Sequence, residues 1–229
     1  MVSKLLQREL DMLREQLVSQ FGVVEQMIQL TVRALVERRT DLADRVIEND
    51  VAVDKTDIRI EEECLKLLAL HQPMAADMRW LITVIKVNSE LERMADLACN
   101  IAERTKALDR FPLFHVPEDL TEMVATVTKM VAGAIDSFVE GDTHKARETI
   151  RMDDLVDTLN RVVIDELHEA MKQDPDQIVP AVHCFSASRH LERIGDLAEN
   201  IGEEVIYLVE GDIIRHQHGL FIQQPQSSR

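Results

Sequence analysis

The sequence has few aromatic residues and few runs of β-branched residues, and this scarcity argues against a β-sheet protein. Only 3% of its 229 residues are aromatic. Residues that favour helices, above all Ala, Leu, Glu, Met and Arg, recur along the whole chain. A hydrophobic fraction of 45% still allows a substantial core. We therefore expect an all-α protein of one or two domains.

Cysteine is equally scarce. The three cysteines, Cys64, Cys99 and Cys184, are odd in number and far apart, and none belongs to a Cys-x-x-Cys pair. This spacing argues against a disulfide framework and against a zinc site built from thiolates. We interpret the three side chains as small buried hydrophobic groups.

Long apolar runs are also missing. No unbroken apolar stretch approaches the ~18 residues that a membrane-spanning helix needs. Near the N-terminus, Lys4, Arg8, Glu9 and Asp11 interrupt the apolar residues, unlike a secretory signal. We expect a cytoplasmic protein that does not insert into a membrane.

Positive charge is in deficit. Lys and Arg number 26 against 42 Asp and Glu, which gives a formal net charge of −16. Such a field repels nucleic acids and anionic lipid surfaces. It is compatible with bound cations or with a basic surface on a partner protein. We therefore do not expect nucleic acid as a partner.

Motifs of common enzyme classes are absent from the sequence. It contains neither a Gly-rich phosphate-binding loop nor a Gly-x-Ser-x-Gly nucleophile motif. No Glu is followed three residues later by His, as the helices of four-helix di-iron oxidases require. We expect that the protein is not an enzyme.

What the sequence does contain is an internal repeat. Residues 90–103 and 190–203 are identical at nine of fourteen positions. The charged residues at the centre of the repeat are Glu92, Arg93 and Asp96 in the first copy and Glu192, Arg193 and Asp196 in the second. The apolar residues of the first copy fall on one helical face, and Glu92 and Asp96 are one turn apart on another face.

Each half reads as three helices joined by short turns. In the first half the apolar spacing predicts helices over about 3–37, 42–70 and 78–108, with Asp77 as the N-cap of the third. Consecutive helices with short turns are antiparallel neighbours. The chain is therefore predicted to form two tandem antiparallel three-helix bundles related by a pseudo-twofold axis.

The closely spaced Pro112 and Pro117 mark the link between the halves. We predict a first three-helix repeat over residues 1–112 and a second over 113–212. The helical pattern is lost after about residue 212, which predicts a flexible C-terminal tail over 213–229.

Acidic residues form a second set of repeated pairs. Asp50 and Asp54, on the second predicted helix, recur as Asp153 and Asp157 in the other half. In antiparallel bundles these pairs face the acids of the 90–103 and 190–203 helices. Four facing carboxylates repel each other unless a hard divalent or trivalent cation neutralises them. We predict one metal site per half, for iron, zinc, manganese or magnesium. The predicted ligands are Asp50, Asp54, Glu92 and Asp96 in the first half and Asp153, Asp157, Glu192 and Asp196 in the second.

Two other interpretations of these acids stay open. A charged stripe on a helix is commonly a solvated face. Arg93 and Arg193 also recur, and could pair with the acids as structural ion-pair networks. In either case the protein would be a metal-independent helical scaffold or interaction protein.

The doubled Glu-Arg-x-x-Asp motif at 92–96 and 192–196, with the repeated Asp pairs on the preceding helices, resembles the PhoU family of phosphate-uptake regulators. The resemblance covers about residues 5–212. It implies two symmetric three-helix bundles with multinuclear metal sites at the eight acids. One departure is Met94-Ala95, where the family commonly has Ile-Gly.

The resemblance further implies a cytoplasmic accessory protein that represses phosphate uptake and the phosphate-starvation response. Its implied partners are the ATPase subunit of the phosphate ABC importer and a phosphate-sensing histidine kinase. We also expect the protein to form a homodimer.

Overall fold

The computed structural model describes residues 4–111 and 113–214, and over these residues it consists of helices without a strand. The helices are α1 (Lys4–Glu37), α2 (Thr40–His71), α3 (Ala76–Leu108), α4 (Glu118–Glu140), α5 (Thr143–Gln173) and α6 (Ile178–Glu210), with a short 3-10 helix (Pro175–Gln177) before α6. The all-α prediction is confirmed. Within the described ranges no helix is both long and apolar enough to cross a lipid bilayer.

The helix ends differ slightly from the predicted ones. Helix α3 begins at Ala76, and its N-cap residue, Ala75, makes no side-chain cap hydrogen bond. The prediction that Asp77 is the cap is therefore wrong: Asp77 lies in the first turn, where a negative charge still interacts favourably with the helix dipole. Helix α5 does have a side-chain cap, because Asp142 accepts hydrogen bonds from the amides of His144 and Lys145.

The three helices of each half pack against one another as an antiparallel bundle. In the first half, Asn88 of α3 donates a hydrogen bond to Asp57 Oδ1 of α2 at 2.6 Å. Toward the other end of the pair, Lys106 of α3 lies 2.6 Å from Asp44 of α2. The late residues of α3 thus lie beside the early residues of α2, which confirms the predicted antiparallel arrangement.

The two halves pack together mainly through α3 and α6, with α1 and α4 alongside. Lys86 of α3 lies 3.1 Å from Glu204 of α6. Phe21 of α1 and Phe138 of α4 have ring centroids 5.4 Å apart. The hydrophobic core therefore runs through both bundles as one cluster of buried side chains. We call the contact between α3 and α6 the seam.

The predicted boundary between the repeats falls at Pro112, which is outside the described residues, so the boundaries 1–112 and 113–212 stay predictions. The predicted tail over 213–229 likewise lies, from residue 215 onward, outside the part of the chain that the structure describes.

Candidate functional site

In the first half the predicted acids of α2 and α3 lie opposite one another. Two contacts fix the register: Asn88 donates to Asp57 at 2.6 Å, and the Cys99 thiol lies 3.8 Å from the carbonyl oxygen of Val46. Between these contacts the antiparallel helices bring Asp96 near α2. Burial raises the pKa of Asp96, and the next largest causes are the carboxylates of Asp50 and Asp54.

The second half repeats this register. Ser188 of α6 donates to Asn160 Oδ1 of α5 at 2.6 Å, the counterpart of the Asn88 hydrogen bond. Farther along α6, a Cβ placed on Gly195 would lie 3.6 Å from Asp153 Oδ1. Burial raises the pKa of Asp153 to about 6, followed by the charges of Asp196 and Asp157. The four predicted acids of this half therefore lie near enough for their charges to act on one another.

The eight acids lie near the protein surface, where the helices meet, rather than in the hydrophobic core. Three of the eight side chains are exposed, and these are Asp54, Asp96 and Asp157. The other five are half-buried: Asp50, Glu92, Asp153, Glu192 and Asp196. Each set thus has carboxylates that are partly desolvated, and it still opens to solvent, from which an ion could enter.

The pKa values are raised more strongly in the second acid set than in the first. In the first half the pKa of Glu92 is raised by burial, then by Asp96 and Asp57. In the second half burial raises the pKa of Asp196 to about 6, with the charge of Glu192 as the next cause. Asp153 and Asp196 therefore keep their protons to a higher pH than ordinary aspartates do when no cation is bound.

Sequence reasoning missed the acid whose pKa is most strongly raised. Glu199 is half-buried, and its pKa is raised to about 8, by burial first and then by Asp153 and Glu203. Its position three residues after Asp196 places it on the same side of α6. The spacing from Asp196 was enough to identify Glu199 as a member of the acid set. Comparison of the two copies did not identify it, because the first copy has Cys99 at this position.

The cysteines confirm their prediction only in part. Cys64 and Cys184 are buried, whereas Cys99 is half-buried. Burial raises the pKa of Cys99 to about 12, and the Asp50 carboxylate is the next cause. Cys99 therefore borders the first acid set, where its twin Glu199 borders the second.

The repeated arginines do not form the ion-pair network that was considered as an alternative. Arg93 lies 3.6 Å from Glu90, which is not one of the eight acids. Within the described ranges neither Arg93 nor Arg193 makes a salt bridge to any of the eight. Among the eight acids, only Glu192 pairs with a basic residue of the described part of the chain, Arg189 at 2.7 Å.

Three oxygen atoms of the acid sets test whether the residues suit a metal ion. Asp50 Oδ1 and its repeat counterpart Asp153 Oδ1 are buried and accept no hydrogen bond from the described residues, and the same holds for Glu192 Oε2. Buried carboxylate oxygens without donors are the ligand type that hard cations prefer. The chemistry fits, but the geometry of an ion site is not assembled: no three His, Cys, Asp or Glu side chains of residues 4–111 and 113–214 are grouped so that they could hold one ion.

Comparison with known proteins relates this chain to a protein family. The family model described as the PhoU domain matches residues 17–105 and again residues 120–205, once in each half. The phosphate-specific transport system accessory protein PhoU homolog of Aquifex aeolicus is 38% identical over 211 residues, which cover 92% of this chain and 96% of that protein.

Solved structures agree with the sequence comparisons. The crystal structure of PhoU from Pseudomonas aeruginosa superposes with a TM-score of 0.86 at 35% identity, covering 90% of this chain and 99% of that one. That of the phosphate transport system regulatory protein PhoU from Streptococcus pneumoniae gives a TM-score of 0.83 at 27% identity, covering 91% and 98%. Since the domain matches in both halves and the similarity extends along nearly the whole chain, this chain belongs to the PhoU family.

Proposed function

We propose that this protein is a negative regulator of phosphate uptake and of the phosphate-starvation response, and that it acts as a metal-binding helical adaptor without catalysis. The observation that carries the proposal is similarity over nearly the full chain to proteins named as accessory and regulatory proteins of phosphate transport. Because both repeats match, the proposal applies to the whole chain rather than to one shared module.

The proposed partners are the ATPase subunit of the phosphate ABC importer and a phosphate-sensing histidine kinase. Both have parts that work in the cytoplasm, and the protein acts there in this proposal. Its net charge of −16 supports docking on basic surfaces of these partners, since charge complementarity accelerates association and suppresses wrong partners.

The metal ions of the proposal are held by the two acid sets. In the first half these are Asp50, Asp54, Glu92 and Asp96; in the second they are Asp153, Asp157, Glu192 and Asp196, with Glu199 at the border. A bound cation supplies positive charge that neutralises the set. The half-buried carboxylates of each set belong to two different helices, so residues that hold one ion also tie α2 to α3, and α5 to α6. Because the helices are tied together in this way, the adaptor has a rigid surface to which its partners bind.

Elemental analysis of protein purified without chelators tests the metal part of the proposal. We expect bound metal in the wild type and less in each of Asp96→Ala and Asp196→Ala, which remove one ligand from one half. Asp165→Ala is the matched control, because Asp165 is exposed on α5 and outside both sets. Unchanged metal content in both site variants would contradict the assignment of the ligands.

The rival is a helical scaffold that needs no metal. It is favoured by the side-chain geometry described above, in which no three ligating residues are grouped to hold an ion. Wild-type protein without bound metal, together with site variants that are no less stable than the wild type, would support this rival.

A deletion strain tests the regulatory part. We expect phosphate-starvation genes to be expressed at high phosphate when the gene is deleted, and to be silenced again by the wild-type copy. A deletion strain in which these genes remain silent at high phosphate would contradict the proposal, whatever the metal analysis gives.

The proposal includes a homodimer. Light scattering coupled to size-exclusion chromatography measures the mass directly, and we expect twice the chain mass of 26.2 kDa. A mass that stays at the monomer value at micromolar concentration would remove the dimer from the proposal.

A further inference from the structure

The two ends of the seam between α3 and α6 differ in their charge: one end is balanced and the other is basic. At one end, Lys86 of α3 lies 3.1 Å from Glu204 of α6, so the cation has an anionic partner. Because the helices are antiparallel, the other end joins the late residues of α3 to the early residues of α6. There Arg104 of α3 and Arg110, just after α3, are the nearby charges that act on His183 of α6.

The internal repeat shows that this difference arises from substitutions at equivalent positions. Where the balanced end has Glu204, the equivalent residue of the first copy is Arg104. Where the first copy has Glu90, the second has His190. Acids at one end are thus replaced by basic residues at the other. We call Arg104, Arg110, His183, Ser186 and His190 the basic end of the seam.

Two buried nitrogen atoms at the basic end have no hydrogen-bond partner among the described residues. Arg104 Nε is a donor without an acceptor, and Nδ1 of His190, which donates or accepts according to the tautomer, has no partner either. The nearest carboxylate to Arg104 is that of Glu103, at 3.9 Å from Nη2, which is too long for a hydrogen bond. The other ring nitrogen of His190 pairs with the Ser186 hydroxyl at 3.3 Å.

The electrostatic surroundings of His183 agree with this geometry. The pKa of His183 is lowered by burial, then by Arg104 and Arg110. The field at the basic end is thus positive, although the chain as a whole carries a formal charge of −16.

We propose that the basic end of the seam binds a small tetrahedral oxyanion with two negative charges, such as a phosphate group. Arg104 supplies a planar guanidinium whose N–H groups match two oxygens of such an anion, and Arg110 adds a second guanidinium from the turn after α3. Ser186 and the two histidines offer further donors from α6. An anion bound here contacts both repeats and stabilises their packing. The inference is independent of the metal sites and of the proposed regulatory role.

Calorimetric titration of the full-length protein with inorganic phosphate, at constant ionic strength and in a buffer without other oxyanions, tests the proposal. We expect saturable binding that Arg104→Gln weakens by roughly tenfold or more, the effect of losing a charged hydrogen-bond donor. Arg110→Gln, at an exposed residue, serves as a second variant if Arg104→Gln fails to fold. Arg8→Gln is the matched control, because Arg8 is exposed near the start of α1, beside the Glu9 contact with His71 at the far end of α2.

Two further arms separate the possible sources and sites of the anion. Glycerol phosphate, a phosphate monoester, shows whether the site takes a phosphate group attached to a larger molecule or free phosphate, and binding of either one supports the proposal. The double variant Asp96→Asn, Asp196→Asn shows whether phosphate is held through bound metal, and we expect it to retain binding. The proposal is overturned if neither compound binds, if Arg104→Gln and Arg110→Gln bind as tightly as Arg8→Gln, or if binding is lost only in the double variant.

Discussion

Arg38 donates a hydrogen bond from Nη1 to the carbonyl oxygen of Phe111 at 2.7 Å, and its Nη2 donates to the carbonyl of Phe114. These carbonyls belong to the segment that links the two halves. Arg38 itself follows α1 with a φ of 53°, in the left-handed region that favours glycine. The equivalent turn after α4 uses Gly141, with a φ of 66°. Arg38 therefore occupies a strained position at which its guanidinium holds the linker.

Replacing Arg38 tests this tether. Arg38→Gln should lower the free energy of unfolding by about 1–3 kcal/mol, because two carbonyls lose a charged donor. The neighbouring Arg39 pairs with Asp41 at the surface, so Arg39→Gln should change the free energy of unfolding much less than Arg38→Gln does. Urea unfolding of both variants gives the comparison. Equal effects would mean that the linker contacts of Arg38 add nothing to stability.

Replacing either of two glycines inside helices with alanine should change the free energy of unfolding, but in opposite directions. A Cβ on Gly22 of α1 would meet no atom within 4 Å, so Gly22→Ala should stabilise by about 0.5–1 kcal/mol through helix propensity. A Cβ on Gly202 of α6 would lie 3.2 Å from the backbone oxygen of Ala146 on α5. We expect Gly202→Ala to destabilise by about 1–3 kcal/mol, since a backbone carbonyl cannot move aside cheaply. Thermal unfolding measures both, and stabilisation by Gly202→Ala would disprove the close packing of α5 and α6.

The acids of the second half predict a pH dependence of the metal-free protein. Unfolded Glu titrates near 4.5, whereas burial raises the pKa of Glu199 to about 8. Between these values the folded protein binds more protons than the unfolded chain, so the free energy of unfolding falls as the pH rises. We expect the urea midpoint to fall from pH 5 to pH 8.

Substitutions show which carboxyl groups cause this pH dependence. Glu199→Gln should flatten the part of the fall above pH 6, while the raised pKa values of Asp153 and Asp196, both about 6, maintain the part below it. Glu169→Gln should leave the fall unchanged, because Glu169 is exposed and its pKa is lowered by its hydrogen bond with Lys172. A midpoint that is constant or rises from pH 5 to pH 8 would show that these carboxylates are not desolvated in solution.

A bound metal ion should reverse the effect of Asp153→Asn on the stability of the protein. Without metal at pH 8, Asp153→Asn should be more stable than the wild type, because it removes a half-buried negative charge among other acids. With manganese at about 100 times its dissociation constant, the wild type should gain about 2.7 kcal/mol, and the variant, with one ligand fewer, should gain less. Melting temperatures with and without the ion give both comparisons. The same gain in both proteins would place the ion elsewhere.

The pairing of the acids was predictable because it depends on two regular features. Helical periodicity places Asp50 and Asp54 on one stripe, and a short turn makes the next helix antiparallel. The same reasoning failed at Asp77, where the helix begins without a side-chain cap. It also failed for Glu199, because only burial against the neighbouring helix raises its pKa, and burial is not written in the spacing of charges.

The sequence by itself determined the helices, their duplication and the acidic stripes, since these follow from local periodicity and from the likeness of its two halves. Only the tertiary structure decided how the halves meet. The tether from Arg38 to the linker and the unequal ends of the seam join residues that are far apart in the chain. Which faces of α3 and α6 come together is set by burial of the whole apolar surface, so no short stretch of sequence specifies it.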